Sequence, residues 1–443
     1  MKLNYHAYQM EAVKWLVSRP HAGLFLDMGL GKTVIALTAI DILRKKGLLK
    51  KTLVIAPLRV CYTGWPGEVW KWDDFDHLSV VNWHKHPGAE PGDITVINPE
   101  GVKKMIAAGK LRLFDHLIID ESSMWKAHDS QRFRSLKNEL HRIGRRWILT
   151  GTPAPNSLMD LWAQMFIVDL GKSLGGYITH FRNAFCRPSA YNKFQYELLP
   201  GAAEEIYDRV KPLVLRMAAK DYLDMPKLVY NAVVVELPPA VRVLYDRFER
   251  DFFAVIKEHP IESPTAAVLG MRLRQLANGG IYNQDGDPLH VHDAKVGALK
   301  ELAEVIDKPL LVFYEFKHDV ARIRAALGAH IPNLSGDKNP EQLIADFAAG
   351  KIKMLLAHSQ SGGYGLNLQD NCADVVWFGL PWSRGNYDQA NARVWRQGQQ
   401  SERVTIHHIV AKDTMDQRVE SVLRHKGKTQ ADLLHAVTEK KDL

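Results

Sequence analysis

Between the apolar run Leu24–Leu26 and the helix-like stretch Val34–Lys46 stands Asp27-Met28-Gly29-Leu30-Gly31-Lys32-Thr33. Glycine reaches backbone conformations closed to other residues and lets N–H groups approach an anion closely. A helix opening directly behind the loop adds unpaired N–H groups and a favourable dipole. A loop of this kind cradles phosphates, with the lysine on the β- and γ-phosphates and the following hydroxyl on Mg2+. Gly29, Gly31, Lys32 and Thr33 are therefore candidate nucleotide-binding residues, Lys32 also catalytic and Thr33 also a metal ligand. The strict spacing asks for glycine at position 26, where this chain has Leu26.

The strand-loop-helix rhythm continues. Leu53–Ala56, Ile94–Ile97, Leu117–Ile119 and Trp147–Leu149 are short, mostly branched runs bounded by Gly, Pro, Asp or Asn. Such runs read as buried parallel strands. A second block starts near Lys308, with Leu310–Phe313, Met354–Ala357, Val375–Phe378 and Thr405–Ile409 separated by stretches such as Glu341–Ala349. The reading is an α/β chain with two doubly wound parallel-sheet lobes. Between them, Lys211–Pro239 is β-rich, and Val241, Leu244, Phe248 and Phe252 recur at helical spacing. The expected organisation is a first lobe over 1–228, a helical linker insertion over 229–290 and a second lobe over 291–443.

Composition narrows the class. At roughly 100–200 residues per domain, 443 residues hold two to four domains. With 46% hydrophobic and 24% charged residues, the chain is globular rather than disordered. No apolar run approaches the ~18 residues of a membrane span, and the start lacks the apolar core of a signal peptide. Three distant cysteines exclude a disulfide scaffold or a CxxC zinc module and fit a reducing compartment. The expectation is a cytoplasmic protein, nucleoid-associated if bacterial or phage, with no membrane partner. A net charge of +8 permits a polyanionic partner. The pairs His84/His86 and His290/His292 have no cysteine nearby and read as ordinary histidines.

Leu117-Ile118-Ile119-Asp120-Glu121 is an apolar strand ending in two acids. Placed beside the first strand, they would face the phosphate loop. Asp120 suits the Mg2+ shell, and Glu121 suits activating a water. Trp147-Ile148-Leu149 leads into Thr150-Gly151-Thr152-Pro153, a forced turn at a strand end with two hydroxyls exposed. These hydroxyls either relay between a γ-phosphate site and a bound polymer or belong to a plain β-turn. Ser361-Gly362-Gly363 follows the strand Met354–Ala357 and again suggests close approach to an anion. In Gln389–Gln399, Arg393 and Arg396 are three apart and would share a helix face. They read as arginine fingers or as a solvated basic face.

This ordered set resembles the motifs of superfamily 2 helicases, most closely the Snf2-type branch. Tyr8-Gln9 resembles that family's adenine-reading element, with Gln9 the contact. Leu53–Pro57 with Leu58-Arg59 resembles its motif Ia, and Lys308–Phe316 its motif IV. Leu273-Arg274-Gln275 and the tract Trp377–Gln399 resemble Snf2-specific blocks. Three departures stand out. Ser122-Ser123 replaces the usual Ala-His or Gly-His, Trp382-Ser383-Arg384 replaces Trp-Asn-Pro, and Ala392 replaces a glycine.

The resemblance implies two RecA-like lobes with ATP and Mg2+ in a cleft between them. Gln9, Gly363 and Gln389 would join the phosphate loop in nucleotide binding. Asp120 would be a metal ligand, and Glu121, Lys32, Arg393 and Arg396 would be catalytic. Arg59, Thr150, Thr152 and Ser361 would touch nucleic acid. It further implies a bare, monomeric motor on double-stranded DNA. Strand separation or annealing is the alternative, and a nucleotide-gated DNA clamp is a non-enzymatic one.

Overall fold

Branched residues on both faces of each apolar run can be buried only if helices cover both sides of a sheet, and that is what forms. A computed structural model describes residues 1–154, 157–188, 196–258, 264–360 and 368–424, apart from the side chains of 254–258 and 264–267. The chain divides into two units, Met1–Leu223 and Asp224–Leu443.

Unit 1 contains β1 (His21–Leu26), β2 (Thr52–Ile55), β3 (Val80–Asn82), β4 (Ile94–Ile97), β5 (His116–Asp120) and β6 (Arg145–Thr150). A small antiparallel pair follows, β7 (Cys186–Pro188) with β8 (Tyr196–Leu198), and then β9 (Val214–Met217). The seven remaining strands form one parallel sheet in the order β3-β4-β2-β5-β6-β1-β9. On one face Leu53, Ile55, Leu117, Ile119 and Ile148 pack with Trp162, Phe166 and Ile167 of the helix Asp160–Asp169. Leu24, Val54 and Ile118 point the other way and are equally buried.

Unit 2 contains β10 (Lys227–Val235), the antiparallel pair β11 (Gly280–Tyr282) and β12 (Pro288–His290), β13 (Leu310–Tyr314), β14 (Met354–His358), β15 (Asp374–Trp377) and β16 (Arg403–Ala411). Its parallel sheet runs β10-β16-β15-β13-β14. Leu311, Phe313, Val375 and Ile406 line one core, and Leu310, Val312, Val376 and Ile409 line the other. Adjacent residues on opposite faces explain why these strands read as unbroken apolar runs.

Both blocks expected from the sequence are thus doubly wound parallel sheets. The β-rich stretch 211–239 supplies an outer strand to each, β9 and β10. Helices Pro239–Glu258 and Pro264–Asn278 place Tyr245, Phe252, Leu273 and Leu276 in the core of unit 2. Arg274, buried beside them, donates to Glu315 (2.9 Å) and to the Leu380 carbonyl (2.5 Å). It ties the block Leu273–Gln275 to the end of β13. Lys295, fully buried, donates to Asn278 Oδ1 (2.8 Å) and the Phe378 carbonyl (3.1 Å) and pairs with Asp416. Cys61, Cys186 and Cys372 are free and buried. Among the described residues no helix is long and apolar enough to cross a membrane.

Candidate active site

All strands of the first sheet are parallel, so their carboxyl ends share one edge. The phosphate loop follows β1 on that edge, and the helix Lys32–Lys45 opens behind it. Gly29 and Gly31 have φ of 86° and 78°, a region that non-glycine residues seldom enter. No side chain caps the helix at Gly31, and the first N–H groups of a helix have no partner within it, which suits an anion at this end. Asp27 braces the loop from behind: its N–H donates to the Met217 carbonyl (3.1 Å) and its Oδ2 accepts from the Ala219 N–H (3.0 Å). Lys32 Nζ donates to the Leu26 carbonyl at 2.8 Å and reaches the Asp27 carbonyl at 3.4 Å. Leu26, where the strict motif has glycine, is fully buried at the strand's end.

Gln9 lies against this loop. Its Oε1 accepts from the His6 N–H at 3.0 Å, which turns the amide nitrogen toward Gly31. A Cβ placed on Gly31 would lie 2.7 Å from Gln9 Nε2. The positive φ calls for glycine, and the Gln9 amide sits directly over it.

The threonine loop meets the phosphate loop too. A Cβ on Gly151 would lie 3.3 Å from the Leu26 carbonyl and 3.6 Å from Lys32 Nζ. Thr150 is buried rather than exposed as the sequence suggested, because it is the last residue of β6 and pairs with Phe25 of β1. Its Oγ1 accepts from the Thr152 N–H at 3.1 Å and shapes the turn. Thr152 is half-buried.

The carboxylates are not beside the first strand, as the sequence reading had placed them. β6 intervenes: Leu149 is in register with Leu24 of β1 on one side and with Asp120 of β5 on the other. The two outer strands are thus about 10 Å apart, twice the usual strand spacing, with the threonine loop between them. Asp120 is buried and held by two donors, Trp65 Nε1 to Oδ2 (3.0 Å) and the Glu121 N–H to Oδ1 (3.0 Å). Burial raises its pKa, while the Trp65 hydrogen bond and the Lys32 charge pull it back down. Glu121 takes a left-handed conformation, φ 52° and ψ 55°. Strain of that kind in a non-glycine residue costs on the order of 1–3 kcal/mol and clusters at functional positions.

Asp120 and the Thr33 hydroxyl offer hard oxygen donors, and Asp120 is oriented by an outer partner, as metal-ligating carboxylates are. This donor set fits Mg2+. Arg59 follows β2 on the same edge, just before the π-helical turn Val60–Gly64 that leads into Trp65.

In unit 2, Gln389 is buried in the helix Arg384–Asn391. Arg393 and Arg396 do not share a helix face, because that helix ends at Asn391 and both lie in the turns after it. Buried Val394 anchors these turns, as do Trp395 Nε1 donating to the Pro226 carbonyl (2.8 Å) and the Leu368 N–H donating to the Arg393 carbonyl (3.2 Å). Ser361 and Gly363 lie outside the described residues.

Two side chains of the site escaped the sequence reading. Trp65 is one, and no periodicity marks it. The other is Gln164, and it had a signal: it is the lone polar residue in Leu161-Trp162-Ala163-Gln164-Met165-Phe166-Ile167-Val168. A buried amide in such a run needs partners. Gln164 Oε1 accepts from Ser122 Oγ (2.7 Å), and Nε2 donates to the carbonyls of Pro153 (2.5 Å) and Asp160 (2.8 Å).

Comparisons with known proteins agree with this geometry. Residues 8–279 match the SNF2-related domain, and residues 294–398 match the helicase conserved C-terminal domain. "Putative protein p41" of Acyrthosiphon pisum secondary endosymbiont phage 1 is 34% identical, over 98% of both chains. An uncharacterized ATP-dependent helicase of Mycoplasma genitalium, MG018, is 26% identical over 96% of this chain. The mouse DNA annealing helicase and endonuclease ZRANB3 is 24% identical over 98% of it. This chain spans only 41% of the length of each of those two helicases. The Sulfolobus solfataricus SWI2/SNF2 ATPase core in complex with dsDNA overlays with a TM-score of 0.47 at 22% identity, covering 96% of this chain and 91% of that one. On the match of residues 8–279 to the SNF2-related domain and the 34% identity with the phage protein, the chain belongs to the SNF2-related family of helicase-like ATPases.

Proposed function

We propose that this protein is an ATP-driven DNA translocase that moves along duplex DNA and remodels it or displaces bound protein. The observation that carries the reading is the convergence of Gln9, Gly31, Lys32 and Gly151 on one edge of one sheet, with Asp120 and Glu121 one strand away. Gln9 reads the base, and the loop N–H groups with Lys32 hold the phosphates. Mg2+ held by Thr33 and Asp120 would neutralise charge on the β- and γ-phosphates. Glu121 orients the attacking water and takes its proton. Arg393 and Arg396 supply positive charge for the transferred phosphoryl group, a role supported by the family resemblance. Catalysis of this kind is positioning and charge stabilisation rather than covalent chemistry.

Nucleic acid is gripped by its backbone through Arg59, Thr152 and Ser361, with Thr150 shaping the turn that carries Thr152. The +8 net charge suits such a partner, and the grip weakens as salt rises. Displacement of a third strand from a triplex, with ATP and purified protein, tests translocation. ATP hydrolysis stimulated by duplex with no displacement on any triplex would refute it. The mouse relative's name favours a second reading, strand annealing. Stimulation by forks or single strands alone would select it.

A further inference from the structure

We propose that Gln164 is a positioning residue that passes the state of the threonine loop to Glu121. The inference rests on the reading above, that ATP turnover responds to nucleic acid. Gln164 sits on the helix Asp160–Asp169, outside every motif singled out in the sequence, and is fully buried. Its amide is one rigid plane with two ends. One end accepts from the hydroxyl of Ser122, the residue after Glu121, at 2.7 Å. The other end donates to the carbonyl of Pro153, which closes the threonine loop, at 2.5 Å. A further bond to the Asp160 carbonyl (2.8 Å) fixes the amide to its own helix. Ser122 is fully buried as well.

Both side chains are fully buried, so a shift of one loop either drags the other or leaves a buried polar group unpaired. Glu121 is the part most sensitive to such a shift, because its left-handed backbone depends on what flanks it. The family's usual residues after the two acids are absent here. The serine in their place fits the glutamine, and the pair makes the link.

The test uses the full chain with three variants: Gln164→Leu, Ser122→Ala and the double. Gln164→Leu keeps the volume and removes the amide. The readout is the ratio of ATP turnover with duplex to turnover without it, together with the KM for ATP. Each single variant lowers that ratio at least tenfold with KM within twofold of wild type. The double is no worse than the worse single, as expected of residues acting as one unit. A ratio within twofold of wild type in a folded variant overturns the relay. So does a double variant whose loss is the product of the singles, or a KM that rises in step with the loss of turnover. If Gln164→Leu fails to fold, Ser122→Ala decides alone. A wild-type rate unchanged by any nucleic acid overturns the functional reading, and the relay with it. A stimulated wild type with equally stimulated variants overturns the relay alone.

Discussion

Trp65→Phe isolates one hydrogen bond at the centre of the site. Trp65 is fully buried, and its indole N–H donates to Asp120 Oδ2 at 3.0 Å. Phenylalanine keeps an aromatic ring in the space and removes the donor. A hydrogen bond to a charged partner contributes about 1.5–3 kcal/mol, so affinity for Mg2+-bound ATP should fall roughly 10- to 150-fold. The pH dependence moves as well. Burial already raises the Asp120 pKa, and the Trp65 bond is the largest of the influences that lower it. Without that bond the pKa rises further, the ionised form is lost at a higher pH, and the acidic limb of kcat/KM shifts upward. The assay is ATP turnover against Mg2+ and pH, with Trp125→Phe as the matched control. Trp125 is equally buried, and its indole N–H has no acceptor among the described residues. Its replacement should leave the acidic limb in place. A folded Trp65→Phe protein with an unmoved acidic limb and an unchanged Mg2+ requirement would refute the reasoning.

Glu121→Gln should still bind ATP but hydrolyse it about 10²–10⁴-fold more slowly, the usual contribution of a positioned base. Equilibrium nucleotide binding with single-turnover kinetics checks this, and a loss under tenfold removes Glu121 from that role. Arg396→Ala should lower kcat by about 10³-fold, the lower end for an arginine finger, with little change in ATP binding. An unchanged kcat would leave Arg393 as the only candidate. His292 is held neutral, its pKa lowered from 6.5 to about 4 chiefly by burial, with Nε2 bonded to the Leu276 carbonyl at 2.8 Å. Below pH 6.5 the unfolded chain takes up a proton that the folded one refuses, so stability is retained above 6.5 and lost as pH falls toward 4. The slope is about 1.4 kcal/mol per pH unit from this residue. Denaturant unfolding at stepped pH should show it, and His292→Gln should flatten the curve.

Much of the fold was legible because the strands are short branched runs between turn residues, and parallel sheets buried on both faces demand such runs. The phosphate loop and the acidic strand end were legible for a related reason, since backbone geometry and charge there leave little choice of residue. Strand order was not. Nothing in Leu117–Glu121 says that β6 separates it from β1, because order is decided by helices packing across the whole sheet. The exposure given to Thr150 failed on the same ground: the last residue of β6 still lies in register with Phe25 of β1, and β1 runs on past it and keeps it buried. Arg393 and Arg396 kept their helical spacing, but the helix stops at Asn391, where the burial of Val394 and the bond from Trp395 to Pro226 set the path instead. Trp65 and Asp120 meet across 55 positions of sequence, and no local pattern encodes that meeting.

The central claim is that this site hydrolyses ATP in response to DNA. It is tested most directly by steady-state ATP turnover of the purified chain, alone and with duplex DNA, single-stranded DNA or RNA, with Lys32→Ala as the blank. The account predicts strong stimulation by duplex, weakening as salt rises, and no turnover in the Lys32→Ala protein. Turnover that ignores every nucleic acid, or that survives Lys32→Ala, would contradict it.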